Sequence, residues 1–382
     1  MKKSTKDYDI IIVGAGIVGM AIALAHAKRG KKVAVFERHP QAIGASIRNF
    51  GMVWPIGQPA GNLFDRAMLS REIWLDISRQ TGMWARPTGS LHLAYHEDEI
   101  AVLEEFVSQN RDADYQCKLV TPKDIRSLSP IANTEGLLGG LWSETEVNIH
   151  SRIAIQMVAD YLKKKYEVDF YFNTVITDIE FPYAHTFDDS FKANEQIYVC
   201  SGADFETLYP SVFQQSGITK CKLQMLSTVS QGEDFNMGAM LCAGLTFRHY
   251  SSFQNCPTLP KLSARYDREE PRFKEHGIHV LLSQNSWGQL IIGDSHEYGL
   301  HLSPFDKEEI NDLILKYLNT FTKIPDLTIA DRWNGIYPKL PGQTEFIHEP
   351  ENGVTIVNAM SGAGMTLSFG LAEEIVNGLL IF

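Results

Sequence analysis

Cysteine is sparse in this chain: five in 382 residues, an odd number, with no CxxC pair among Cys117, Cys200, Cys221, Cys242 and Cys256. That pattern excludes a disulfide-stapled scaffold, a dithiol redox pair and a zinc ribbon, and it suits a reducing cytoplasm, the expected location. HExxH and GxSxG are both missing, so neither a zincin-type site nor a Ser-His-Asp hydrolase is read. His249 has no histidine or cysteine at ligand spacing in the sequence, and no metal is expected. Positive charge is in deficit as well. Lys+Arg total 35 against 46 Asp+Glu, a net charge of -11, which gives no support for a nucleic-acid or anionic-membrane partner but leaves room for a local basic pocket. A membrane-spanning run is lacking. The final GLLIF is too short, and the apolar stretch after the basic start is preceded by Asp7 and Asp9 and broken by glycines at motif spacing. It reads as a buried strand and helix rather than a signal peptide, and no stable membrane insertion is expected.

What is present is well-placed glycine. The total of 29 is ordinary, but Gly14-Ala15-Gly16-Ile17-Val18-Gly19 directly follows the apolar run YDIIIV (8–13) and opens a helical pattern over 17–29. KVAVFE (32–37) reads as a second strand, closing a βαβ unit. In such a unit Gly14 allows the tight turn, Gly16 the close approach of a pyrophosphate, and Gly19 the close packing of helix on strand. Free N–H groups at the helix start favour the phosphates. Glu37, 23 residues after Gly14, is placed to accept from an adenosine ribose, and its charge works against a 2′-phosphate. This motif points to a dinucleotide and leaves NAD or FAD open.

Between 38 and 61 the chain has little periodicity and many Gly, Pro and Asn residues, the texture of a loop that lines a site. Helical patterns follow over 62–80, 97–110, 151–165 and 305–323. Residues 221–300 read as strand-rich, with CKLQMLSTV, LTFRHYSS, HVLLSQNS and GQLIIGDS as elements of a mostly antiparallel sheet. A last strand, VTIVNA, the turn MSGAG and the helix MTLSFGLAEEIVNG close the chain.

Four stretches in this order, DIIIVGAGIVGMAIA with VFER, GASIRNFGMVWP, GQLIIGDSHE and SGAGMTLSFGLAEEI, resemble the D-amino-acid oxidase superfamily, the FAD-dependent group that includes glycine and sarcosine oxidases. The resemblance spans nearly the whole chain. It implies an α/β protein in which a Rossmann-like FAD-binding domain (1–85, 145–220 and 325–382) interleaves with an α+β substrate domain (86–144 and 221–324) built on a mostly antiparallel sheet. By position it places Arg38, Ser46, Asn49, Gly51 and Met52 beside the pyrophosphate and flavin. Gly362, Gly364, Met365 and Thr366 fall at the flavin ring, Val175 at adenine, and Gly202 in the late turn YVCSGAD. Where sarcosine oxidase-like members carry a flavin-linking cysteine this chain has Gly335, so the FAD is expected to be noncovalent. Where glycine oxidase-like members carry Gly-Leu-Arg-Pro this chain has Gly335-Ile336-Tyr337-Pro338, so their carboxylate-binding arginine is missing. IRNFGMVWPIGQP with RWNGIYPKLPG is most similar to a phosphonate-catabolism-associated subgroup, whose substrates resemble N-methyl-2-aminoethylphosphonate.

The expected chemistry is oxidation of the C–N bond of a small zwitterionic amine. Hydride passes to flavin N5, the imine is hydrolysed by water, and dioxygen takes the electrons. No obligatory protein base is needed. Substrate-pocket candidates are Arg48, Trp54, His249, Tyr337 and Lys339, with Trp333 and His296 nearby and Lys222 as an oxygen-activating charge. If LTFRHY is extended, Arg248 and Tyr250 share one face and His249 takes the other. Two alternatives stand beside this reading: a dehydrogenase of a small amino acid or 2-hydroxy acid using a quinone or protein acceptor, and a non-catalytic FAD-binding protein. The oligomeric state is left open.

Overall fold

The computed structural model describes residues 6–111 and 113–379; the basic start (1–5) and the end of GLLIF (380–382) lie outside the described residues. Strand β1 (Lys6–Val13) leads through the glycine turn into helix α1 (Ile17–Ala27) and on to the parallel strand β2 (Val33–Phe36). The apolar run of β1 is buried on both faces. Ile10 and Ile12 pack into the cluster beneath α1, whereas Ile11 joins Phe36, Ile197 and Ile356 on the other side. A strand covered on both faces has no need of polar alternation, which is why YDIIIV reads as a continuous apolar run.

β1 and β2 belong to an eight-stranded sheet. Ser190–Val199 lies parallel to β1, Asp169–Tyr171 parallel to β2, and Val354–Asn358 parallel to Ser190–Val199. Short antiparallel strands complete its margins.

A nine-stranded sheet is centred on the long strand Thr219–Ser230, which pairs antiparallel with Gln289–Gly293, Glu297–Gly299 and Ile329–Lys339. One pairing in it is parallel, Met240–Ala243 on Ser90–Ala94, and the rest are antiparallel. The mixed α/β fold class expected from the sequence is therefore present. Ile329–Lys339, assigned from sequence to the dinucleotide-binding part, instead hydrogen-bonds along Thr219–Ser230 in the second sheet. Its first half alternates half-buried and exposed residues, as suits a strand with one face to solvent, and Gly335–Lys339 line the cavity between the layers.

Two further departures concern 221–300. LTFRHY is a 3-10 turn, Gly244–His249, not a strand, and Leu259–Glu269 with Pro271–Glu275 are helices. Thr246 Oγ1 donates to Val280 O at 3.1 Å, and Leu245 and Phe247 are fully buried, so the segment satisfies itself by coiling into the core rather than by a strand ladder.

Helix α2 (Asn62–Thr81) packs against the last helix, Gly364–Val376. Arg66, 6% exposed, clamps Glu374 through two nitrogens (3.0 and 2.6 Å) and Glu345 through a third (3.0 Å). A bidentate guanidinium pair of this kind fixes orientation as well as contact, and here it holds the last turn of that helix against α2. No helix among the described residues is long and apolar enough to cross a membrane.

Candidate functional site

One cavity of about 820 Å³ runs between the two sheets. At its first end β1 passes into α1. Gly14 has φ +105°, donates its N–H to Phe36 O at 2.8 Å, and would place a Cβ 2.3 Å from Cys200 O. Only glycine fits that turn. Ile17 N, at the start of α1, donates to Ser46 Oγ at 2.9 Å. Glu37 accepts from Ala15 N (3.1 Å) and His39 N (3.0 Å), which fixes its carboxylate at the cavity rim. Arg38 pairs with Asp204 and so ties this rim to the turn after Ser190–Val199.

Gly14, Gly16, Ile17, Val18, Glu37 and Arg38 line this end, as do Val175 and Gly202. Ala15, Gly19 and Gly51 do not line it. Ala15 is fully buried and offers its N–H to Glu37. A Cβ on Gly19 would lie 1.9 Å from Gly14 O, and one on Gly51 1.7 Å from Ile149 O. These residues shape the cradle from behind.

Midway, Ser46, Arg48, Asn49 and Met52 line one wall. Asn49 holds the loop in shape by donating to Ala45 O and Ser46 O (3.0 and 2.9 Å) and accepting from Gly51 N at 2.8 Å. Opposite stands the turn of Gly362, Gly364, Met365 and Thr366, where the last helix starts with no side-chain cap. Its uncapped N–H groups form a hydrogen-bond-donor edge on the cavity. Thr366 Oγ1 accepts from Trp54 N at 2.9 Å and so pins the two walls together. Gly335 also lines the cavity, 3.1 Å by its would-be Cβ from Leu223 and 3.3 Å from Arg48 O.

At the far end stand Trp54, His249, Tyr250, Tyr337 and Lys339. Coiling of Gly244–His249 lets both His249 and Tyr250 reach the cavity, against the alternation expected of a strand, while Arg248 turns away to pair with Asp267 at 2.8 Å. The structure places the expected His296 at this end and adds His279 and Asp294. Sequence spacing shows no histidine partner for His249, because these ligand-type residues come from separate segments. The one local signal is Asp294-Ser295-His296, whose i, i+2 spacing puts Asp294 and His296 on one face of an extended segment.

His249 opens onto the cavity, but protein surrounds it on its other sides. Burial, with the neighbouring His279, His296 and Lys339, pushes its pKa well below the usual histidine value. Burial takes His296 to about 4 against the opposing pull of Asp294. Burial raises the phenols of Tyr250 and Tyr337, so both stay protonated donors. Trp54 Nε1 is buried without a hydrogen-bond partner.

Two expected residues are elsewhere. Trp333 donates to Arg48 O at 3.2 Å and lies under Arg152, behind the wall rather than in it. Lys222, 2% exposed, is held by Asp306 (2.9 Å), Ser303 O (2.9 Å) and Phe305 O (2.7 Å), so its ammonium is engaged away from the cavity wall.

A family model described as "DAO: FAD dependent oxidoreductase" matches residues 9–377. Among curated proteins the chain is 28% identical over 134 residues to a subunit of the anaerobic glycerol-3-phosphate dehydrogenase of Escherichia coli (strain K12), covering 34% of this chain and 24% of that protein. The chain thus spans about a quarter of that relative's length. Similar solved structures include L-proline dehydrogenase from P. horikoshii (TM-score 0.78, 22% identity, 98% of this chain and 95% of that one). Glycine oxidase from Geobacillus kaustophilus is another (TM-score 0.76, 20% identity, 98% and 95%). At these identities the likeness is one of fold.

Proposed function

The chain belongs to the FAD dependent oxidoreductase (DAO) family, and from that premise we propose that it oxidises the C–N bond of a small zwitterionic amine, with an aminophosphonate such as N-methyl-2-aminoethylphosphonate as substrate and dioxygen as electron acceptor. The residues present fit FAD. Gly16 leaves open the space a Cβ would occupy, Glu37 is fixed at the rim, and the last helix offers uncapped N–H groups to the cavity. Gly14, Gly16, Glu37, Ser46, Asn49, Met52, Gly362, Gly364 and Thr366 would hold it, noncovalently because position 335 has no thiol. Bound FAD supplies the two-electron acceptor for the hydride on the carbon next to nitrogen.

The observation behind the substrate class is the cationic pair Arg48 and Lys339 lining one cavity with the donor phenols Tyr250 and Tyr337. Arg48 is oriented by a bond to Asn334 O at 3.3 Å. Together these groups provide charge-assisted and neutral hydrogen bonds for an anionic head group. The same two cations disfavour the ammonium form of a nearby amine and bias it toward the free base that can give up hydride. Trp54, stacked with Tyr250 at 6.2 Å between ring centroids, walls off water during that step. Water then hydrolyses the released imine.

Flavin bleaching under anaerobic conditions tests the reading. N-methyl-2-aminoethylphosphonate should reduce the flavin faster than sarcosine or glycine, and admitted oxygen should restore its absorbance rapidly. Equal or better turnover of glycine refutes the phosphonate substrate, and an oxygen-insensitive reduced flavin refutes the oxidase.

A further inference from the structure

We propose that His249, His279 and His296 form a binding site for one divalent transition-metal ion of the zinc class in the wall of the substrate cavity. The three come from unconnected places: the 3-10 turn Gly244–His249, the segment before Leu281–Gln284, and the segment after Gln289–Gly293. One ring nitrogen of each lies within 4.8 Å of the others. An ion held at about 2.1 Å by imidazole nitrogens needs them about 3.4 Å apart, so closure asks for roughly an ångström of adjustment. The rings of His249 and His279 stack at 3.8 Å with 19° between planes, and His296 is 4.8 Å from one and 5.0 Å from the other. A ring nitrogen's lone pair lies in the ring plane, so binding also has to tilt the stacked pair until the three nitrogens converge on one point.

The hydrogen bonding favours a metal over a merely packed cluster. His296 Nδ1 lies 2.9 Å from Gly277 O. A carbonyl only accepts, so the proton is on Nδ1 and Nε2 keeps its lone pair. His279 Nε2 lies 2.9 Å from Asp294 Oδ1, while its Nδ1 is buried with no partner. His279 is itself 5% exposed, and a buried lone pair with nothing to accept is costly. One nitrogen of each of these two rings is thus turned to a carbonyl or a carboxylate and the other is left over, the arrangement by which outer groups orient metal-binding histidines. Asp294 Oδ1, 2.9 Å from His279 Nε2, supplies compensating negative charge. An anion in place of the metal would meet these lone pairs head-on.

Three protein ligands leave coordination positions open. His249 opens onto the cavity, so those positions face it and would take an oxygen from an anionic ligand. Recognition of the metal itself needs nothing from the proposed substrate.

Equilibrium dialysis of the FAD-loaded protein against Zn²⁺ tests the site with metal alone, and the flavin spectrum and unfolding midpoint report whether each variant is folded. Expected are one Zn²⁺ per chain, affinity lower by at least about 100-fold in His249→Ala and His279→Ala, and about 10–100-fold lower in Asp294→Asn. His249→Ala removes a cavity-facing ring and keeps the test decisive if His279→Ala fails to fold. His348→Ala, on the strand Phe346–Glu351 of the other sheet, should bind as the parent does. No saturable binding to the folded parent, or binding unchanged in folded His249→Ala, overturns the proposal.

Discussion

Gly16 and Gly19 sit three residues apart in one motif, yet the structure gives them separable jobs. A methyl group on Gly19 would stand 1.9 Å from Gly14 O, where ordinary contact begins at 3.4 Å, so α1 would have to retreat by about 1.5 Å from the turn it packs on. Overpacking of that kind costs about 1–3 kcal/mol. It should lower the unfolding midpoint by several degrees, at about 2–4 °C per kcal/mol for a unit of this size, even without cofactor. A methyl group on Gly16 meets only Ser46 Oγ, at 3.2 Å, which a few tenths of an ångström relieves. Its remaining volume projects into the cavity that Gly16 lines. Gly16→Ala should therefore leave the apoprotein's midpoint nearly unchanged while weakening FAD at least about tenfold, a loss of about 1.4 kcal/mol. Apoprotein of each variant, followed by thermal unfolding and by quenching of flavin fluorescence on titration with FAD, separates the two effects. If Gly16→Ala binds FAD as tightly as the parent, or Gly19→Ala melts with it, the assigned division of labour is refuted.

Arg48→Ala should raise KM for the anionic amine by about tenfold or more with a smaller change in kcat, since a charge-assisted hydrogen bond is worth about 1.5–3 kcal/mol; unchanged steady-state kinetics would assign Arg48 to the loop alone. Lys222→Met leaves Asp306 and two carbonyls without their donor, and chemical denaturation should show a loss of about 3 kcal/mol, with Asp306 29% exposed and so partly rescued by water. Reoxidation of the reduced flavin by oxygen should keep its rate in that variant, and a large drop in it would restore Lys222 as an oxygen-activating charge. Burial holds His26 at about 4, His92 at about 3 and His150 at about 4. Each binds its proton more readily unfolded, so the stabilisation is complete above about pH 6.5 and is lost as pH falls toward 4, by up to about 3 kcal/mol for His26. Unfolding midpoints measured from pH 7 to 4.5 should fall, and less steeply in His26→Gln; identical slopes would contradict the sign. Acid precipitation should release all the flavin to the supernatant, and colour retained in the pellet would disprove noncovalent binding.

The parts of the site that are legible in the sequence are those built from short-range backbone chemistry. Gly14, Gly16 and Glu37 announce themselves because a turn, a helix start and a strand end lie within one βαβ unit, and each needs a particular residue type there. The turn at Gly362 and Gly364 is legible for the same reason. Helix Leu259–Glu269 escapes a reading of the sequence although its Pro260 is a helix-start signal, because the flanking strands set the expectation. LTFRHY misleads because apolar residues in a short run look alike whether they are destined for a strand or a buried coil. Its fate is decided at a distance: Gly244 is pressed so close to Glu99 that a Cβ would fall 2.2 Å from Cδ, and Arg265 of that same helix binds Glu99 at 2.8 Å.

The far end of the cavity is only partly legible for a related reason. Arg48, Trp54, Tyr337 and Lys339 come from two segments that the family resemblance already ties to the flavin. His279 comes from HVLLSQNS, which reads only as a core strand, and Asp294 from GQLIIGDSHE, which carries the resemblance without pointing to a role for its carboxylate. They come together just beyond the antiparallel pairing of Leu281–Gln284 with Gln289–Gly293, where the register slips by one residue from Leu281 opposite Gly293 and His279 and Asp294 exchange backbone hydrogen bonds (Asp294 N to His279 O at 2.7 Å, His279 N to Asp294 O at 3.2 Å). That local pairing puts an imidazole and a carboxylate side by side, 2.9 Å apart. A further one-residue slip would send both side chains to the opposite face, since side chains alternate along a strand. The chemistry at this end is therefore a property of how separate segments pair, of which local spacing in the sequence shows only Asp294 with His296.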